Sequence, residues 1–147
     1  MNLLFDASAL LNIIRRKRRK AFNILVGNYI LDLTFYEIGN AIWKETKLQK
    51  RIEVDEASKL LKTISIIKDK MQMLRAENLV VVFKIAYELG ITFYDASYIV
   101  AAAGNNLFLV TDDKKLISKL EQSKDTLKEI LGSEVKVMTS LELTRGG

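Results

Sequence analysis

The chain is predicted to fold as an α/β protein in three layers, a central parallel β-sheet of four to five strands flanked by helices. Three observations lead there. Short apolar runs without polar alternation, such as 1–5 and 107–111, read as strands buried on both faces. Segments with helical apolar spacing separate them, so successive strands need crossover connections, which are right-handed and give parallel pairing. The 147 residues, 49% hydrophobic and 28% charged, are enough for one core without cross-links. Residues 1–143 are expected to form one domain, with 144–147 a frayed tail.

Taken in order, Met1–Phe5 reads as the first strand and Ala7–Ile14 as a helix running into the basic stretch Arg15–Lys20. Ala21–Val26 is a second helical piece, stopped by Gly27 and Asn28. Tyr29–Leu33 is a strand. Thr34–Gln49 is a helix with Phe35, Ile38, Ile42 and Thr46 on one face. Val54–Lys70 is more strongly amphipathic, since Val54, Ala57, Leu60, Leu61, Ile64 and Ile67 recur at helical spacing. Met71–Leu74 reads as a break. Ala76–Leu89 has helical length and Gly90 as its stop. Ile91–Tyr94 is expected to be a short strand or an extended lead-in to the helix Ala96–Ala103. Leu107–Thr111 is a strand, Lys114–Leu120 and Lys124–Leu131 are helices, and Val135–Met138 is the last strand.

Composition removes whole classes of chemistry. Cysteine and histidine are both absent, which excludes disulfides, thiolate zinc sites and the serine–histidine and cysteine–histidine triads. Carboxylates, lysines and tyrosines remain for acid–base work. No run of glycines resembles a phosphate-binding loop. The apolar start carries Asp6 and lacks a basic leader, and no run approaches the roughly 20 apolar residues of a membrane helix, so a cytoplasmic protein is expected. The net charge is +5, but Arg15, Arg16, Lys17, Arg18, Arg19 and Lys20 alone carry +6, leaving −1 for the rest. The basicity is a local patch on a nearly neutral body, a candidate for RNA backbone binding or simply a solvated helix end.

In a parallel sheet, ligands sit outside the carboxyl ends of the strands. Asp6, Glu37, Asp95, Asp112 and Asp113 each follow a strand and so fall on that one edge. Singly, each has a structural explanation. Asp6 and Asp95 can cap helices, and Thr34 with Glu37 matches a capping box, while periodicity places Glu37 on the solvated face. Together they repel one another unless a cation is bound. Hard oxygen donors suit Mg²⁺ or Mn²⁺, which can acidify a bound water and stabilise charge developing on a phosphate.

Four ordered stretches, LLFDASALL, YEIGNAIWK, ITFYDASYIVAAA and LFLVTDDKKL, resemble the PIN-domain ribonucleases, and among them the VapC toxins of type II toxin–antitoxin pairs. The resemblance implies a PIN-like fold and a Mg²⁺- or Mn²⁺-dependent endoribonuclease acting on RNA. It also implies a homodimer, silenced by an antitoxin protein. It assigns the metal and the catalysis to Asp6, Glu37, Asp95 and Asp113, with Asp112 as second candidate because the fourth acid stands two residues after Thr111. Supporting roles fall to Thr111, Ser8 and Asn40. Tyr36, Trp43, Tyr94 and Tyr98 are candidates for base stacking or for the core.

Other readings stay open. One is a non-catalytic module that holds RNA with Arg15–Lys20 and a protein with the Val54–Lys70 helix. Another is a PIN nuclease of housekeeping RNA processing. A receiver-like phospho-acceptor sheet fits less well, because the paired aspartates come late in the chain.

Overall fold

A computed structural model describes residues 2–145. Its sheet has five parallel strands in the order β3-β2-β1-β4-β5. These are β1 (Leu3–Phe5), β2 (Tyr29–Leu31), β3 (Gln72–Leu74), β4 (Phe108–Val110) and β5 (Val137–Met138). The three-layer architecture follows from the pleat, which turns alternate side chains to opposite faces. Leu3, Phe5, Ile30 and Val110 enter one core, whereas Leu4, Leu31 and Leu109 enter the other. Burying each such side chain contributes about 1.5–3 kcal/mol, which is why strands this short hold their places.

The first core is roofed by α1 (Ala7–Lys17), α2 (Ala21–Leu25), α3 (Thr34–Trp43) and α4 (Val54–Lys68). Ile38 and Ile42 of α3 and Ala57, Ile64 and Ile67 of α4 are buried there, as their spacing predicts, whereas Val54 and Leu61 of the same α4 stripe are exposed. The chain beyond α3 widens into a π turn, Lys44–Leu48. The second core lies under α5 (Leu79–Leu89), α6 (Phe93–Gly104), α7 (Lys114–Gln122) and α8 (Lys124–Leu131). Gly90 closes α5 in the left-handed region, φ 66°, where a side chain would be strained. A last short helix, α9 (Ser140–Thr144), returns to α1.

Four expectations are corrected. Met71–Leu74 is not a break: Gln72–Leu74 pairs with Tyr29–Leu31 as an edge strand. It is largely exposed and mixed in polarity, so it carries no strand-like run of buried residues. Of the two readings of Ile91–Tyr94 the extended lead-in holds, not the strand, and only as far as Thr92, which caps α6 so that the helix starts at Phe93 instead of Ala96. The helix predicted from Ala76 begins only at Leu79, capped by the Asn78 side chain. In the tail, Thr144 is buried and bonds back to the Ser140 carbonyl at 2.8 Å instead of fraying. Met1 of the first predicted strand, and residues 146–147 of the tail, lie outside the described residues.

The topology places a site. The helices after β1 and β4, adjacent strands, depart to opposite faces of the sheet, which opens a crevice between their carboxyl ends. Asp6 follows one strand and Thr111, Asp112 and Asp113 follow the other.

Candidate metal and active site

Asp6 sits at the bottom of this crevice. As the N-cap of α1 it accepts the Ala9 N–H at 2.9 Å on Oδ1, together with the Ser8 hydroxyl at 2.7 Å. Its other oxygen, Oδ2, accepts the buried Thr111 hydroxyl. Burial pushes its carboxyl up to about 6. The hydrogen bonds from Thr111, Ala9 and Ser8 pull the other way, and the Asp112 charge adds to the rise. Asp6 is therefore both a helix cap and a strained charge, so the structural and chemical readings are not alternatives.

Ser8 and Thr111 stitch the two strand ends together. Ser8 Oγ also accepts the Asp112 N–H at 3.1 Å, and Thr111 Oγ1 accepts the Asp113 N–H at 3.1 Å. Asn40 is exposed on α3, one turn beyond Glu37.

Glu37 comes from the first turn of α3 and is half-buried, not solvated. The expected capping box does not form. Thr34 already lies inside the helix, and its hydroxyl accepts the Leu31 N–H at 3.1 Å. Glu37 instead accepts the Tyr98 hydroxyl at 2.8 Å. Burial raises the Glu37 carboxyl; the Tyr98 bond opposes this, and the charges of Asp6 and Asp95 reinforce it.

Asp95 lies in the first turn of α6 rather than at its cap, the cap being Thr92, whose hydroxyl accepts the Asp95 N–H at 3.1 Å. It too is raised, by burial first and then by the charge of Asp113. Asp113 caps α7, accepting the Lys115 and Leu116 N–H groups at 3.0 and 3.1 Å. Each acid thus feels the next, in the order Asp6, Glu37, Asp95, Asp113.

Asp112 is differently placed. It accepts the Asn12 amide at 2.8 Å and both the backbone N–H and hydroxyl of Ser140, at 2.7 and 2.5 Å. Burial alone would raise its carboxyl, but the bonds from Ser140 and Asn12, with the nearby Arg16 charge, outweigh that and hold it below the ordinary value. It ties α1 to α9 and is already satisfied.

Among the described residues, no three acidic side chains stand close enough together to hold a metal ion as they are. The donor set nevertheless fits a hard divalent cation in its chemistry. It is made of carboxylates alone: Asp6, Glu37 and Asp95 are each raised chiefly by burial, Glu37 also by the charges of Asp6 and Asp95, and Asp95 by that of Asp113. A bound cation would relieve that repulsion.

The basic run is only partly available. Arg15 forms a bidentate pair with Glu45 at 2.9 and 2.5 Å, and Arg16 donates to the Ser140 hydroxyl at 2.9 Å. Arg18, Arg19 and Lys20 form an exposed turn, beginning where Arg18 takes φ 49° and ends α1. That turn is one helix length from Asp6.

Tyr98 is 1% exposed and belongs to the core, so it is not a stacking platform. Its hydroxyl is nonetheless a site group that reasoning from sequence missed. The signal was its spacing, three residues after Asp95, which puts it one helical turn on. Tyr36 and Tyr94, beside Glu37 and Asp95 in the chain, are 81% and 59% exposed.

Comparison with known proteins accords with this geometry. Residues 3–122 match the PIN domain family model. Exonuclease VapC9 from Pyrobaculum aerophilum is 42% identical over 96 residues, covering 65% of this chain and 69% of that protein. Ribonuclease VapC3 from the same organism is 31% identical over 125 residues, covering 81% of this chain and 95% of that one. The crystal structure of PAE2754, also from Pyrobaculum aerophilum, superposes with a TM-score of 0.69 at 34% identity, covering 90% of this chain and 91% of the other. With its acid-lined crevice on a five-stranded parallel sheet, the chain belongs to the PIN-domain family and to its VapC-type nucleases.

Proposed function

We propose that the chain is a divalent-metal-dependent endoribonuclease that hydrolyses RNA phosphodiester bonds, the toxin of a toxin–antitoxin pair. The observation that carries this reading is the coupled row of Asp6, Glu37, Asp95 and Asp113 at the switch point of the sheet. These four would hold Mg²⁺ or Mn²⁺. When bound, the cation acidifies water and stabilises the charge developing on the phosphate.

The chain's own residues divide the remaining work. Ser8 and Thr111 hold the Asp6 carboxylate in place, and Thr111 also fixes the Asp113 backbone. The exposed Arg18, Arg19 and Lys20 attract the RNA backbone, and Tyr36 and Tyr94 flank the acids as stacking surfaces. A homodimer and an antitoxin covering the crevice complete the reading. Among the described residues no helix is long and apolar enough to cross a membrane.

One relative bears the name of an exonuclease, which favours a second reading in which the chain trims RNA from an end. Circular single-stranded RNA separates the two, because it has no end. Cleavage of the circle with Mn²⁺ or Mg²⁺, abolished by EDTA, is the expected result. Degradation of linear RNA alone would establish the exonuclease, and cleavage indifferent to EDTA would refute the metal.

A further inference from the structure

Buried in the second core, the Tyr98 hydroxyl touches two groups from a different element. Thr34 Oγ1 lies 2.8 Å from it, and Glu37 Oε1 lies 2.8 Å from it on the other side. Thr34 Oγ1 in turn accepts the Leu31 N–H of β2 at 3.1 Å. Proton counting fixes the direction. The Tyr98 hydroxyl has one proton and gives it to Glu37, so the Thr34 hydroxyl, which also accepts the Leu31 N–H, donates its own proton to the Tyr98 oxygen.

We propose that Tyr98 is a positioning residue, which ties one oxygen of Glu37 through Thr34 to the backbone of β2 and sets that carboxylate for the cation. This rests on the metal-dependent reading above. The relay uses Oε1 and not the second oxygen, so the tether and a cation do not compete for the same atom. Its anchor is rigid: Thr34, Leu31 and Tyr98 are each at most 1% exposed, and Leu31 is paired in the sheet. Glu37 stands on the first turn of α3, where a free glutamate would sample several rotamers and lose that freedom on binding. A carboxylate held by its outer partner binds a metal more tightly, typically by about 10- to 100-fold. The tether also joins the two sides of the crevice, because Tyr98 follows Asp95 by one turn of α6 while Glu37 belongs to α3.

The test is Tyr98→Phe, which removes the hydroxyl and keeps the ring, set in a cycle with Glu37→Gln and the double variant. Melting curves and amide spectra confirm that each variant is folded. Calorimetric titration with Mn²⁺ is expected to show Tyr98→Phe binding about 10-fold more weakly, with no further loss when it is added to Glu37→Gln. In the metal-free protein the Glu37 carboxyl ¹³C resonance, assigned by its disappearance in Glu37→Gln, is expected to move in Tyr98→Phe. An unmoved resonance, or Mn²⁺ affinity equal to the parent's, overturns the positioning role. A moved resonance in a protein whose parent binds no Mn²⁺ sinks the metal-dependent function instead, and with it the purpose assigned to the tether.

Discussion

Asp6 concentrates the conflict on which the site is built. Its carboxylate is 6% exposed and accepts three hydrogen bonds, yet burial still lifts it to about 6. A folded-state value above the unfolded one means that the folded protein binds the proton more tightly. The associated stability is fully present below the ordinary value of 3.8 and is lost as pH rises through about 6. Glu37 and Asp95 shift in the same direction, whereas Asp112 shifts oppositely. Melting of the metal-free protein is therefore expected to show a loss on the order of 2 kcal/mol from Asp6 between pH 4 and pH 7. Asp6→Asn, which keeps a capping side chain, should flatten the profile over that window. Parallel curves for parent and variant would mean that Asp6 is not strained.

At the scale of elements, the doublet after β4 divides its labour between two helices. Asp112 holds α9 through Ser140 and α1 through Asn12, while Asp113 caps α7 and couples to Asp95. Asp112→Ala leaves buried donors without their acceptor and is expected to cost about 1–3 kcal/mol in thermal or urea unfolding, with Mn²⁺ affinity near the parent's. Asp113→Asn should do the reverse, because asparagine caps as well as aspartate does but ligates a hard cation poorly. Swapped outcomes would move the ligand to Asp112. The elements also show what the sequence could and could not say. Buried strands were legible because Leu3–Phe5 and Phe108–Val110 are apolar at every position. Gln72–Leu74 was not, because an edge strand needs backbone partners more than a pattern, and those partners are distant in the chain. Thr34 and Glu37 had the spacing of a capping box, but a tertiary bond from Tyr98 claimed the glutamate, and no local rule anticipates a partner 61 residues away.

Across the whole molecule, positive and negative charge are separated along α1. Its first turn carries the acid crevice and its far end the exposed turn Arg18–Lys20, an arrangement suited to a backbone-tracking path for a polyanion. Salt dependence measures that path. Replacing Arg18, Arg19 and Lys20 by glutamine is expected to weaken single-stranded RNA binding and to reduce the slope of log affinity against log salt by about 0.7 for each phosphate that is no longer neutralised. An unchanged slope would assign the turn to solvent. The edge on which the acids gather was readable from the order of strands and helices alone. Their coupling was not, since it depends on burial and on which neighbours each carboxylate faces.

The central claim is that the acids of this crevice do the chemistry, and Asp95 is the place to test it. It is raised by burial and by Asp113, and the α6 cap belongs to Thr92, so Asp95→Asn leaves the capping bond in place. The deciding measurement is the rate at which Asp95→Asn cleaves RNA with saturating Mn²⁺, on protein whose melting curve matches the parent's. A loss of at least about 100-fold is expected, beyond the range seen when only a ligand's outer partner is removed. Cleavage at the parent's rate would contradict the claim and leave only the capping roles of Asp6 and Asp113.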